Sequence, residues 1–148
     1  MRVMVIVKAS KESEAGVMPD TKSLTEMGKY NEQLAKAGIM LAGEGLQPTS
    51  KGKRIKFSGG KITSVTDGPF TESKELVGGF CMIQVSSWDE VMAWSDRFAA
   101  IQGEGESELR PLFEATDFCE DVFPAEAAAR EQALRDELQR RAGTAATY

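Results

Sequence analysis

The sequence predicts an α+β fold: a sheet with two helices on one face and an extra helix at its C-terminal end. Three observations carry this. The patterned segments run β-α-β, hairpin, β-α-β along the chain. Two Ser-x-x-Glu signatures, Ser23 to Glu26 and Ser87 to Glu90, mark helix starts. Gly59-Gly60 sits between two β-patterned runs, a strong hairpin signal.

Residues 2–8 alternate Val3, Val5 and Val7 against Met4 and Ile6, so both faces are apolar and the segment reads as a central strand. Pro19 and Asp20 lead into a helix with Leu24, Met27, Asn31 and Leu34 on its inward side, closed by Gly38. Residues 39–46 form the second strand, with Glu44 on the face of Met40, Ala42 and Leu46 and with Gly43 and Gly45 on the other. Residues 53–57 and 61–65 make the hairpin, and a two-residue turn pairs Phe57 with Ile62. Residues 78–86 resume the sheet. The second helix follows, with Trp88, Val91, Trp94, Phe98 and Ile101 at core spacing and Gly103 and Gly105 at its end. The two tryptophans read as core or dimer residues. Leu109, Pro111 and Phe113 share one face of the last strand; Glu108, Arg110, Leu112 and Glu114 share the other.

This layout is ferredoxin-like, with the hairpin inserted. From Pro124 to Arg141 the composition shifts to Ala, Glu, Gln and Arg, and four acid-before-base pairs at i,i+4 predict a helix: Glu126/Arg130, Glu131/Arg135, Asp136/Arg140 and Glu137/Arg141. Its apolar stripe is thin, mainly Leu134 and Leu138. The expected organisation is an α+β domain over 1–120 and a helical extension over 121–148. The central strands are apolar on both faces, yet two helices cover only one. A second copy of the chain is the simplest cover for the other, so a homodimer is expected.

Composition narrows the function. The net charge is −5, which argues against a broad nucleic-acid footprint. The apolar start, Val3 to Val7, is too short for a signal peptide, and no run approaches the roughly 20 apolar residues of a membrane helix. A cytoplasmic protein without membrane contact is expected. The chain has no histidine. That removes the usual neutral-pH base, Ser-His-Asp and Cys-His catalysis in their usual form, and most catalytic zinc and iron ligand sets. No metal or cofactor is expected. Cys81 lies in an apolar strand pattern, and Cys119 lies in the acidic run from Asp117 to Asp121, a poor setting for a nucleophile.

Four motifs in register resemble the DGPF branch of the YCII-related family: Ala42 to Pro48 (AGEGLQP), Asp67 to Glu75 (DGPFTESKE), Gly78-Gly79-Phe80, and Glu108 to Leu112 (ELRPL). The likeness covers roughly residues 1–118 and leaves out the Ala/Arg-rich helix. It implies a ferredoxin-like fold and a homodimer related to the dimeric α+β barrels. It also implies a regulatory setting, since some relatives are encoded beside or fused to extracytoplasmic-function sigma factors. Other branches of the family carry a suspected His-Asp pair, which this histidine-free chain cannot form.

Four residues are candidates for a site. Glu44 stands among apolar neighbours, where an unpaired carboxylate is costly. It belongs either to an ion pair with Arg110 at a dimer seam or to a ligand site. Asp67 either builds the Asp-Gly-Pro-Phe turn through its own backbone contacts or sits at a pocket mouth followed by Lys74. Two functional readings follow. The first is a homodimeric accessory or regulatory binding module in which Glu44, Asp67, Lys74 and Arg110 contact a small-molecule ligand in a small polar pocket. The second is a metal-free enzyme using Glu44 or Asp67 as acid/base on a small organic substrate. The cations Lys51, Lys53, Arg54, Lys56 and Lys61 make the hairpin basic, either as a solvated device against edge pairing or as a partner contact.

Overall fold

A computed structural model describes residues 1–71 and 75–145 of the chain. Two compact units divide it, Met1–Leu112 and Phe113–Tyr148.

The first unit contains β1 (Arg2–Lys8), a short helix α1 (Lys11–Glu14), α2 (Thr21–Lys36), β2 (Met40–Gly45), β3 (Lys53–Ser58), β4 (Lys61–Asp67), β5 (Val77–Gln84), α3 (Trp88–Gln102) and β6 (Ser107–Pro111). Four strands make an antiparallel sheet in the order β2-β5-β1-β6, the ferredoxin-like arrangement; β3 and β4 form a separate two-stranded sheet. The fold class is therefore α+β, as the sequence predicts.

Helices α2 and α3 cover one face of the sheet. Val3, Ile83 and Val85 from the sheet side are buried with Tyr30 and Leu34 of α2, Ile39, and Val91 of α3. Val5, Cys81, Leu109, Met27, Trp94, Phe98 and Ile101 pack around them. Burial pushes the Cys81 thiol above its ordinary value. Tyr30 anchors α2: its hydroxyl donates to the Trp94 carbonyl at 3.1 Å, and its ring meets that of Trp94 edge-on. Burial pushes this hydroxyl up to about 12. With Met27, Tyr30 and Leu34 inward, the stripe turns away from Leu24, which is exposed, and from Asn31.

The helix starts follow the capping logic with one shift. The Ser87 hydroxyl caps α3 by accepting from the Glu90 amide at 3.3 Å, and the Glu90 carboxylate accepts from the Ser86 amide at 2.7 Å. On α2 the cap is Asp20, not Ser23: its carboxylate accepts from the Ser23 amide at 2.7 Å. A charged acceptor three residues upstream takes the orphan donor first.

The hairpin turns at Gly59 and Gly60, both with positive φ, and sets Phe57 opposite Ile62. The register of the sheet shifts at two places, between Val7 and Lys8 where β1 meets β5 and between Met40 and Ala42 where β2 meets β5. The shift between Met40 and Ala42 puts Met40 opposite Ile83 on the helix-covered face, while Ala42 sits opposite Met82 on the other. Glu44 thus keeps Ala42 as a face neighbour but loses Met40. The terminal methyl of Met40 lies 2.7 Å from where a Cβ on Gly43 would stand, filling the space above that glycine.

The second unit opens with a 3-10 turn at Ala115–Asp117 and continues into α4 (Ala125–Ala145). The last strand ends at Pro111, so Phe113 is not part of it. Instead Phe113, Phe118 and Phe123 form a chain of ring contacts with centroids 5.2 and 5.5 Å apart. Along α4, Arg130 pairs with Glu126, Arg135 with Glu131 and Arg141 with Glu137. Arg140 reaches Glu137 one position nearer than expected, and Asp136 accepts from Gln132 at 2.9 Å. Leu134 and Leu138 are both more than half exposed. No described helix is long and apolar enough to cross a membrane.

Candidate functional site

The face of the four-stranded sheet turned away from the helices is the candidate site. Cross-strand partners share a face. One row across it reads Glu44, Phe80, Ile6, Glu108; the next reads Ala42, Met82, Met4, Arg110. The middle is apolar, made of Met4, Ile6, Phe80 and Met82, and none of these four belongs to the core under the helices. The edges are charged, with Glu44 on β2 and Glu108 and Arg110 on β6.

Alternation along β1 brings Lys8 to this face beside Ile6. Its ammonium donates to Glu75 at 3.1 Å and to Glu108 at 3.3 Å, and only 11% of its side chain is exposed. The hydrogen bond to Glu75, then that to Glu108, holds Lys8 above its ordinary value. It is a fixed cation and not a neutral base. Arg110 reaches Glu108 at 3.5 Å and completes a Glu75–Lys8–Glu108–Arg110 chain. Lys8 is the member that sequence reasoning missed. Its even position after Met4 and Ile6 was the available signal; the contact with Glu75 is tertiary and had none.

Glu44 and Arg110 are not brought together within one chain. They stand on opposite edges of the sheet, separated by β5 and β1, a span of about 14 Å at normal strand spacing. Glu44 is exposed and makes no ion pair among the described residues. Its backbone is tightly held: the Glu44 carbonyl oxygen lies 3.0 Å from where a Cβ on Gly79 would stand.

Asp67 lies elsewhere, at the root of the hairpin, where its carboxylate pairs with Lys53. The rest of its motif forms a joint. The Gly68 amide donates to the Gly52 carbonyl at 3.1 Å. The Phe70 amide donates to the Thr49 hydroxyl at 3.1 Å, and that hydroxyl donates to the Glu14 carboxylate at 2.6 Å. The Arg54 guanidinium covers the Phe70 ring at 4.1 Å. In a single chain, then, the motif ties the hairpin to α1. Lys74 lies outside the described residues.

The second unit holds a cleft of about 230 Å³, lined by Phe113, Phe118, Phe123, Gln132, Glu131 and Arg135 among others. Glu44, Asp67 and Arg110 are not among its lining residues.

Against known proteins, the YCII-related domain matches residues 1–116. The chain belongs to the YCII-related family. The match takes in the whole first unit and leaves α4 outside. An uncharacterized protein of Rhizobium meliloti is 36% identical over 104 residues, covering 70% of this chain and 78% of that protein. Among solved structures, this YCII-related chain is similar to 5-chloro-2-hydroxyhydroquinone dehydrochlorinase of Burkholderia phenoliruptrix, solved with 2,5-dihydroxybenzoquinone. That likeness has a TM-score of 0.43 at 14% identity and spans 80% of this chain and 100% of the other.

Proposed function

We propose that the protein is a homodimeric accessory or regulatory binding module whose small polar pocket forms between the open sheet faces of two copies. The observation that carries this is the sheet face opposite α2 and α3: four large apolar side chains at its centre, none of them in the core that those two helices bury. Contiguous apolar surface rimmed by charge marks an interaction site, and a self-complementary patch pairs most simply by a two-fold axis.

Charge selects the axis. An axis between the faces and perpendicular to the strands sets each sheet edge against its own copy, so Glu44 approaches Glu44 and Arg110 approaches Arg110. An axis parallel to the strands sets the β2 edge of one copy opposite the β6 edge of the other. Glu44 then faces the row of Glu108 across the dimer, where Lys8 and, one row along, Arg110 supply the opposite charge. The pair that one chain keeps apart is completed by two. The same rim supplies carboxylate, ammonium and guanidinium groups to a small polar ligand held between the faces.

A charge swap tests this reading. Glu44→Arg alone and Arg110→Glu alone each create two like-charge contacts per dimer, so each homodimer is expected to weaken by at least about tenfold. Mixing the two single variants restores both opposite-charge contacts in the heterodimer, which is expected to regain parental affinity in a sedimentation titration. Single variants that associate as tightly as the parent, or a mixture no tighter than either variant alone, would remove the proposed geometry. A thermal-shift screen of small polar compounds then reads the pocket, since a ligand of the folded dimer raises its apparent stability.

A further inference from the structure

We propose that the β3–β4 hairpin is an arm that crosses to the second copy, laying its apolar face on that copy and its cations over the acidic end of that copy's β1–β6 edge. This rests on the paired-face dimer with its axis along the strands.

The hairpin is built unlike the rest of the unit. Ile55 faces Val65 and Phe57 faces Ile62, and all four are more than half exposed. The register shift between Lys56 and Phe57 takes up Thr63 and keeps Ile62 on the side of Val65, so the four form one stripe. A two-stranded hairpin standing alone is marginal in water. This one is tied at its root, by Lys53 to Asp67, by Gly68 to Gly52 and by Arg54 over Phe70.

Charge identifies what the stripe meets. Residues 51–61 carry five cations and no carboxylate, whereas the whole chain carries −5, so the remainder carries −10. Lys53 and Arg54 are engaged at the root; Lys51, Lys56 and Lys61 make no ion pair among the described residues. The hairpin leaves the sheet after Gly45 and returns at Val77, the same end at which β1 finishes at Lys8 and β6 begins at Ser107. That end also holds Glu104 and Glu106, and Glu75 and Glu108, which Lys8 of the same chain already pairs. An axis along the strands leaves both hairpins at this one end and brings each from the β2–β5 side of its own chain over the β1–β6 side of the other. A second copy therefore offers the arm an acidic seat in reach.

The experiment places p-benzoylphenylalanine at Phe57 and, in a second variant, at Ile62. Both positions are solvent-exposed, so the fold is retained. Equal amounts of isotope-labelled and unlabelled full-length chains are mixed, irradiated at micromolar concentration and digested for mass spectrometry. Mixed-isotope cross-links landing in residues 103–111 are expected. In parallel, Lys56→Glu combined with Lys61→Glu is expected to raise the dimer dissociation constant by about tenfold at low salt, with the difference shrinking as salt rises. Cross-links confined to single chains, inter-chain cross-links to other segments, or none at all in a preparation that sediments as a dimer would overturn the arm and leave the paired faces standing. A preparation that sediments as a monomer would overturn both. Dimer affinity unchanged by the lysine reversals, together with heparin binding that they abolish, would make the hairpin a polyanion site instead.

Discussion

Met82→Asp is expected to give a folded monomer. Met82 lies in the middle of the open face, with Met4 and Ala42 as its cross-strand neighbours, so no charge stands directly opposite the new carboxylate. In one chain this position is half-buried and water reaches it, and the core on the other side of the sheet is untouched. In the paired dimer the carboxylate is sealed against a second apolar face without a partner. Hot-spot disruptions of this kind reach about 4 kcal/mol, or about a thousandfold in affinity. Sedimentation velocity should show the mass fall to that of one chain, while thermal unfolding stays cooperative. A variant that keeps the parental affinity would mean the face is covered by something other than a second copy.

Gly68→Ala is expected to loosen the root of the hairpin. A Cβ at this position would stand 1.7 Å from the Thr49 carbonyl oxygen and 2.5 Å from its carbonyl carbon, and both are backbone atoms. The Thr49 segment cannot move away freely. It is held by Glu14 through both its amide and its hydroxyl and is bonded to the Phe70 amide. Overpacking against an unyielding neighbour costs about 1–3 kcal/mol. Because the strain falls on the joint and not on the core, the loss should be local. Amide exchange in residues 49–70 is expected to quicken far more than in β1 or α3. Uniform destabilisation would show that the joint folds as one unit with the core.

How much of this was legible follows from where each determinant lies. The Gly59-Gly60 turn, the Phe57/Ile62 register, the Ser87 cap and the inward residues Val91, Trp94 and Phe98 are set by neighbours within one turn or one hairpin, so pattern alone finds them. The bulge at Met40 is different: no glycine or proline marks it, and the gap above Gly43 that Met40 fills exists only in the folded sheet. At α2 the Ser-x-x-Glu signature pointed to Ser23, whereas the carboxylate of Asp20 takes the Ser23 amide. Tyr30 took the place given to Asn31 because a Trp94 carbonyl, distant in sequence, was there to accept from its hydroxyl. For the site, the residue types were legible and their convergence was not. Glu44 and Arg110 lie on strands whose order in the sheet puts them at opposite edges, and that order is set by tertiary pairing that no local pattern reveals. Lys8 escaped because the carboxylates that fix it, Glu75 and Glu108, come from two other segments.

The central claim is that a second copy of this chain covers the open face. Sedimentation equilibrium of the unmodified protein at low micromolar concentration tests it most directly. The expected result is a single species near twice the 16.1 kDa chain mass, dissociating only on dilution; a species of one chain mass across that range would contradict it.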